Sequence, residues 1–223
     1  MDFLRILKSL DELLFELMSW LAFYPLTMAR ILARPLGMMG YSDTQIEHAE
    51  DGRYDDSLSP PLLLMITLVI TNAIAMAAHV PRPEATGVLE NAIYNSPQNL
   101  LLFRCLVFAL IPLVAATTLV RRRGDLLSRT TLHAPFYAQC FLAAPWAMVI
   151  GLALVASQRN ALYSAFISPA VALVATAWFL WVQSRWFARE LSIPVGRGVA
   201  IALWAFVRAL MYLAVLMAMV AYI

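Results

Sequence analysis

No aspartate or glutamate lies inside any of the long apolar runs of this 223-residue chain. Transporters coupled to protons or sodium commonly use an intramembrane carboxylate as the coupling site, so that class is disfavoured. Charge is scarce throughout. Charged residues make up 13% of the chain, against roughly 25% in a soluble domain. Lysine is almost missing, Lys8 being the only one. The arginines that replace it are spread over separate connections, which excludes a nucleic-acid footprint. There are two cysteines, Cys105 and Cys140, in different apolar runs on the order of 14 Å apart in depth. That is too far for a disulfide. Also missing are a phosphate-binding glycine loop, zinc-ligand spacing and paired carboxylates in a shared pocket, so neither an enzyme, a metal centre nor a cofactor is expected. The histidines His48, His79 and His133 are isolated from one another. Asp11, Glu12 and Glu16 interrupt the first apolar stretch and no small-residue cleavage site follows, so no removable signal is expected.

What remains is hydrophobic, at 62% of residues. Apolar runs of bilayer-spanning length cover residues 60–80, 100–120, 134–156, 166–183 and 199–222. A soluble chain of this size has no core large enough to hide five such helices. The expected fold is therefore all-α, a polytopic bundle of five transmembrane helices, with residues 57–223 as the membrane domain. Pro60-Pro61, following the acidic pair Asp55-Asp56, opens the first span.

Residues 1–56 are expected to form a cytoplasmic region of different character. Asp2, Arg5, Ser9, Glu12, Glu16 and Ser19 alternate at spacings of three and four, drawing a polar stripe along a helix. Thr27, Arg30 and Arg34 resume it after Tyr24-Pro25, and Pro35 to Gly40 ends it. This pattern predicts two amphipathic helices lying in the membrane interface, joined by a bend at Pro25. A crossing over residues 13–32 is the alternative, with Glu16 and Arg30 as its cost. Residues 41–56 read as a solvated acidic linker.

Loop arginines set an expected orientation. Arg30, Arg34 and Arg53 precede the first span, Arg121, Arg122, Arg123 and Arg129 follow the second, and Arg185, Arg189 and Arg197 follow the fourth. The intervening connections hold only Arg82 and Arg159. The alternation predicts a cytoplasmic N-terminus and an opposite C-terminus, with Tyr54, Trp186, Phe187 and Tyr222 as interfacial anchors. The near-exclusive use of arginine is a compositional hint of a GC-rich bacterial genome, and the expected location is a bacterial inner membrane.

A few polar side chains fall within spans. Arg104, about 6 Å from one end of the second span, is expected to snorkel. Arg208 sits on the order of 13 Å into the fifth span with no carboxylate in any span to meet it. Its partners are a carbonyl freed by proline, with Phe141 under Pro145 at a similar depth, stacking on Trp204 or Tyr212, or an anionic lipid phosphate. Asn72 and Gln139 read as interhelical glue, or as the border of a polar path with Arg208. Pro112, Pro145 and Pro169 are expected to bend their spans. Ala143, Ala147 and Gly151 give the third a smooth face. The expected partners are the bilayer, including anionic lipid, and other membrane proteins or further copies of the chain.

Asp56-Ser57-Leu58-Ser59-Pro60 places an acid four residues before the proline of the first span, as in the Asp-Leu-Tyr-Gly-Pro motif of the Yip-domain family. With five spans, and Ala134 to Tyr137 standing where that family carries Gly-Tyr, the chain resembles this family of small polytopic membrane proteins. The resemblance implies a noncatalytic, membrane-organising or scaffold role. Eukaryotic members are linked to vesicle traffic and Rab-type GTPases, and bacterial relatives are often called permeases. A small channel or permease for lipid or solute is thus the alternative.

Overall fold

A computed structural model describes residues 2–47, 57–80, 87–158 and 163–222. The elements are α1 (Asp2–Ala33), α2 (Pro35–Glu47), α3 (Pro60–Ala77), α4 (Val88–Tyr94), α5 (Pro97–Arg123), α6 (Arg129–Ser157), α7 (Ser168–Glu190) and α8 (Val195–Tyr222). A π-helical turn, Tyr163–Ile167, leads into α7. The described residues contain no strand. Five helices, α3, α5, α6, α7 with its preceding turn, and α8, are long and apolar enough to cross a bilayer. This all-α architecture is that of a multi-pass membrane protein. It carries apolar side chains outward on several helices, including Leu106, Leu154, Leu173, Trp204 and Met211.

The helix ends follow from local chemistry. Ser96 and Ser128 cap α5 and α6, accepting hydrogen bonds from the backbone N–H groups of Asn99 at 3.3 Å and Thr131 at 3.1 Å. Pro60 and Pro61 open α3, where a missing N–H costs no helical bond. Gly124 takes φ 84° after α5, and the N–H of Asp125 reaches back to the Val120 carbonyl at 3.2 Å. His79 and Ser192 adopt the same left-handed cap after α3 and α7. Pro169 lies in the first turn of α7, directly after the π-helical turn, whereas Pro112 and Pro145 lie inside α5 and α6.

Helix α6 organises the rest. Residues 138–147 are buried without interruption, and a helix buried around its whole circumference must be packed on every side. Helices α3, α5, α7 and α2 all pack against it. The smooth face works as expected. Ala143 and Ala147 are buried against α3 with Leu63, Leu64 and Leu68, and Gly151 lies so close to Thr71 that an added Cβ would come within 2.9 Å of its methyl. On the far side, Trp146 and Phe179 stack at 5.2 Å between ring centroids, with Phe206 completing the cluster. Trp186 and Phe187 belong to this interior and not to the interface where anchors were expected. The helical period turns both inward near the end of α7. Helix α4 packs against α5 and α8 and buries Tyr94.

The N-terminal region departs most from expectation. Helix α1 runs straight through Pro25, and the break falls at Arg34, where the residue preceding a proline is pushed out of helical geometry. The chain continues directly as α2, which carries helix through Tyr41 and Ser42 into the segment read as a solvated linker. Ser42 is buried. The remaining linker, with Arg53, Tyr54, Asp55 and Asp56, lies outside the described residues.

The elbow between α1 and α2 is wedged into the bundle. Ile31 and Met39 are completely buried, Ile31 among Leu58, Leu63 and Phe141, Met39 among Ile111, Leu142, Trp146 and Phe179. Thr27 accepts a hydrogen bond from the Leu58 N–H at 3.2 Å, and the Tyr24 and Thr67 hydroxyls share one at 3.0 Å. Burial, partly offset by that hydrogen bond, holds the Tyr24 phenol above its ordinary pKa. Nearer its start, α1 stands clear, exposing Leu14, Phe15, Met18 and Leu21 together with Lys8, Asp11 and Glu12. The two helices expected in this region are thus present, with the bend moved to Arg34, the start of α1 exposed and the α1–α2 elbow buried in the bundle.

Candidate functional site

The polar side chains singled out within spans resolve into three separate contacts, each between a different pair of helices. Near the end of α3, Asn72 meets Arg104 of α5, whose Nη1 donates to Asn72 Oδ1 at 2.8 Å. The Asn72 amide in turn approaches the Met76 sulfur at 3.7 Å. Arg104 therefore does not simply snorkel. It turns inward to a neutral amide. Below this pair lies a cavity of about 240 Å³ lined by Thr71, Phe108, Gly151, Val155 and Gln158 as well as Arg104. Thr71 spends its hydroxyl on its own helix, donating to the Thr67 and Leu68 carbonyls.

The second contact joins α6 and α7. Gln183 Nε2 donates to Gln139 Oε1 at 3.2 Å, and both side chains are 1% exposed. Gln139 thus acts as interhelical glue, with a partner that was assigned to the very end of the fourth span. The pair is only half satisfied. Gln139 Nε2, Gln183 Oε1 and the nearby Trp186 Nε1 are buried without a hydrogen bond, and each such atom costs on the order of 1–3 kcal/mol.

The third contact explains Arg208, in the middle of α8. Its Nη2 donates to Thr118 Oγ1 at 2.5 Å and to the Val114 carbonyl at 3.3 Å. Among the described residues no carboxylate reaches it. The backbone acceptor is that of Val114 on α5, not that of Phe141 on α6, because Arg208 lies on the face of α8 packed against α5. Thr118 was not anticipated. Its hydroxyl donates to the same Val114 carbonyl at 2.5 Å, one turn back on its own helix, which leaves the oxygen's lone pairs for the guanidinium. Stacking on Trp204 and Tyr212 is not what holds the guanidinium. Both rings are mostly exposed, and the cation–π contact among the described residues is Arg185 over Trp181 at 4.9 Å.

These groups do not share one space. The cavity lined by Arg104 touches neither Gln139 nor Arg208.

Comparison with known protein families, curated proteins and solved structures finds no match.

At the opposite end from Arg104 the α5–α6 and α7–α8 connections come together. Arg123 pairs with Glu190, tying the last turn of α5 to that of α7. Beside them, Arg122 and Arg197 rim an open groove of about 390 Å³ floored by Leu191, Ile193 and Ile201. Arg121, Arg122 and Arg129 are exposed, so this end of the bundle is strongly cationic. Of the four residues proposed for the acidic opening of the first span, Pro60 and Pro61 start α3, while Asp55 and Asp56 lie outside the described residues.

Proposed function

We propose that the chain is a noncatalytic integral membrane protein with a membrane-organising or scaffold role of the kind the Yip-domain resemblance implies. In this reading it sits in a bacterial inner membrane with its cationic end in the cytoplasm and its C-terminus outside. The free part of α1 lies in the cytoplasmic interface, Leu14, Phe15, Met18 and Leu21 toward the acyl chains and Glu12 toward water.

The observation that carries the scaffold role is that the in-span polar groups pair helix to helix in three separate places. Asn72 with Arg104, Gln139 with Gln183, and Arg208 with Thr118 each bind one helix to another. A conducting or scrambling path needs polar groups that line one continuous route across the bundle. Purified protein reconstituted into liposomes is accordingly expected to give neither ion flux nor lipid scrambling above protein-free vesicles, and Arg208→Leu is expected to behave the same. Flux that requires wild-type Arg208 would replace the scaffold with a permease. One observation does favour lipid contact beyond ordinary solvation, the cavity under Arg104.

A further inference from the structure

We propose that the cavity beneath Arg104 binds an anionic lipid, its phosphate-type headgroup held by the guanidinium and its chain laid against the apolar walls. Among the described residues no carboxylate meets the Arg104 guanidinium. Arg104 lies on the order of 10 Å from the start of α5 at 1.5 Å per residue, half-buried, where an unpaired cation is costly. Among the described residues its one hydrogen-bond partner is the neutral Asn72 oxygen, engaged by Nη1. A guanidinium carries five N–H donors in a planar fork shaped for oxyanions, so four remain to be met.

Asn72 fixes where those donors stand. Anchored through Nη1, the guanidinium is held at the edge of a cavity of about 240 Å³ formed by α3, α5 and α6, and is itself part of the lining. Away from Arg104 the walls are hydrocarbon, Leu68, Phe108 and Val155, and the Thr71 hydroxyl is already bonded within its helix. Val80 and Gln158, just past the ends of α3 and α6, mark the open rim. One charged donor group set into the wall of an otherwise apolar, open-rimmed chamber matches a molecule with an anionic head and a hydrocarbon tail. A free inorganic anion would gain nothing from the apolar walls.

The inference rests on the membrane reading above and deepens it. Its test uses the full chain in phosphatidylcholine nanodiscs, with and without phosphatidylglycerol, following the unfolding midpoint and the lipid retained in native mass spectrometry. Phosphatidylglycerol is expected to raise the wild-type midpoint by several degrees and to be retained as a bound molecule, while millimolar inorganic phosphate does neither. Arg104→Gln is expected to abolish both effects. Val155→Trp fills the chamber without touching the arginine and is expected to abolish them too. Asn72→Asp supplies an internal carboxylate to the guanidinium; it is expected to keep or raise the midpoint in phosphatidylcholine and to erase the response to phosphatidylglycerol. This variant decides the matter if Arg104→Gln fails to fold. No response in the wild type, a response that survives Asn72→Asp, or an equal response to inorganic phosphate overturns the site. Failure of the membrane reading looks different, because the protein would then be released from membranes by alkaline carbonate and would not enter nanodiscs.

Discussion

Gly198→Leu is expected to pull α8 away from α7 and to lower the unfolding midpoint more than any other single change in the transmembrane bundle. Gly198 is buried in the first turns of α8, directly against α7. A Cβ at this position would run into the backbone carbonyl of Ser184 and would meet the Ala188 Cβ at 3.1 Å. A backbone carbonyl inside a helix cannot swing aside as a side-chain tip does, so the whole of α8 must shift. Overpacking of this kind costs typically about 1–3 kcal/mol and occasionally more. The isobutyl group of leucine falls at the upper end, and Gly198→Ala at the lower. Gly196, two residues earlier, has nothing within 4 Å of its would-be Cβ. Gly196→Ala is therefore expected to leave the midpoint unchanged or slightly raised, since alanine favours helix over glycine by about 1 kcal/mol. Intrinsic tryptophan fluorescence on heating in detergent reads all three. A midpoint for Gly198→Leu equal to that of wild type would mean that α7 and α8 do not approach as closely as described.

Met39→Asp is expected to release the α1–α2 elbow from the bundle while leaving the five long helices assembled. Met39 is wholly enclosed by Ile111, Leu142, Trp146 and Phe179. An uncompensated carboxylate there costs on the order of 3–5 kcal/mol, and the cheapest escape is for α2 to withdraw. Limited proteolysis would then cut between α2 and α3 and leave the remainder protected. Phe15→Ser, on the exposed part of α1, is the control and is expected to leave the elbow docked. Loss of all helical protection in Met39→Asp would show instead that the elbow is essential to the assembly of the spans.

The spans themselves were readable because their signal is long and local. Apolar runs bounded by prolines, arginines and polar turns marked all five, and the structure extends most of them by a few residues into flanking turns. Helix α6 shows why, since Ser128 supplies a cap well before the apolar run begins. The elbow was not readable for the same reason in reverse. The polar stripe through Glu12 and Glu16 belongs to a helix with one solvated face, but nothing local distinguishes Ile31 and Met39 from other apolar residues, and it is they that are buried by long-range packing. Pro25 drew the bend to itself, although the Arg34-Pro35 step holds it.

The polar contacts were half legible. Asn72, Arg104, Gln139 and Arg208 all stood out as costly side chains in hydrocarbon, yet sequence alone supplied no register between helices. Asn72 and Arg104 lie at comparable distances from the neighbouring ends of α3 and α5, which allowed the pairing once those ends were known. Gln183 and Thr118 escaped notice because one fell at a span boundary and the other satisfies its hydroxyl on its own helix.

The central claim is that five crossings separate a cationic, cytoplasmic end from an end poor in arginine. The most direct measurement places paired reporters after Ile223 and in the α5–α6 connection beside Arg122, one active only outside the cytoplasm and the other fluorescent only within it. The account predicts an external signal after Ile223 and a cytoplasmic one beside Arg122. Both reporters on the same side would contradict it.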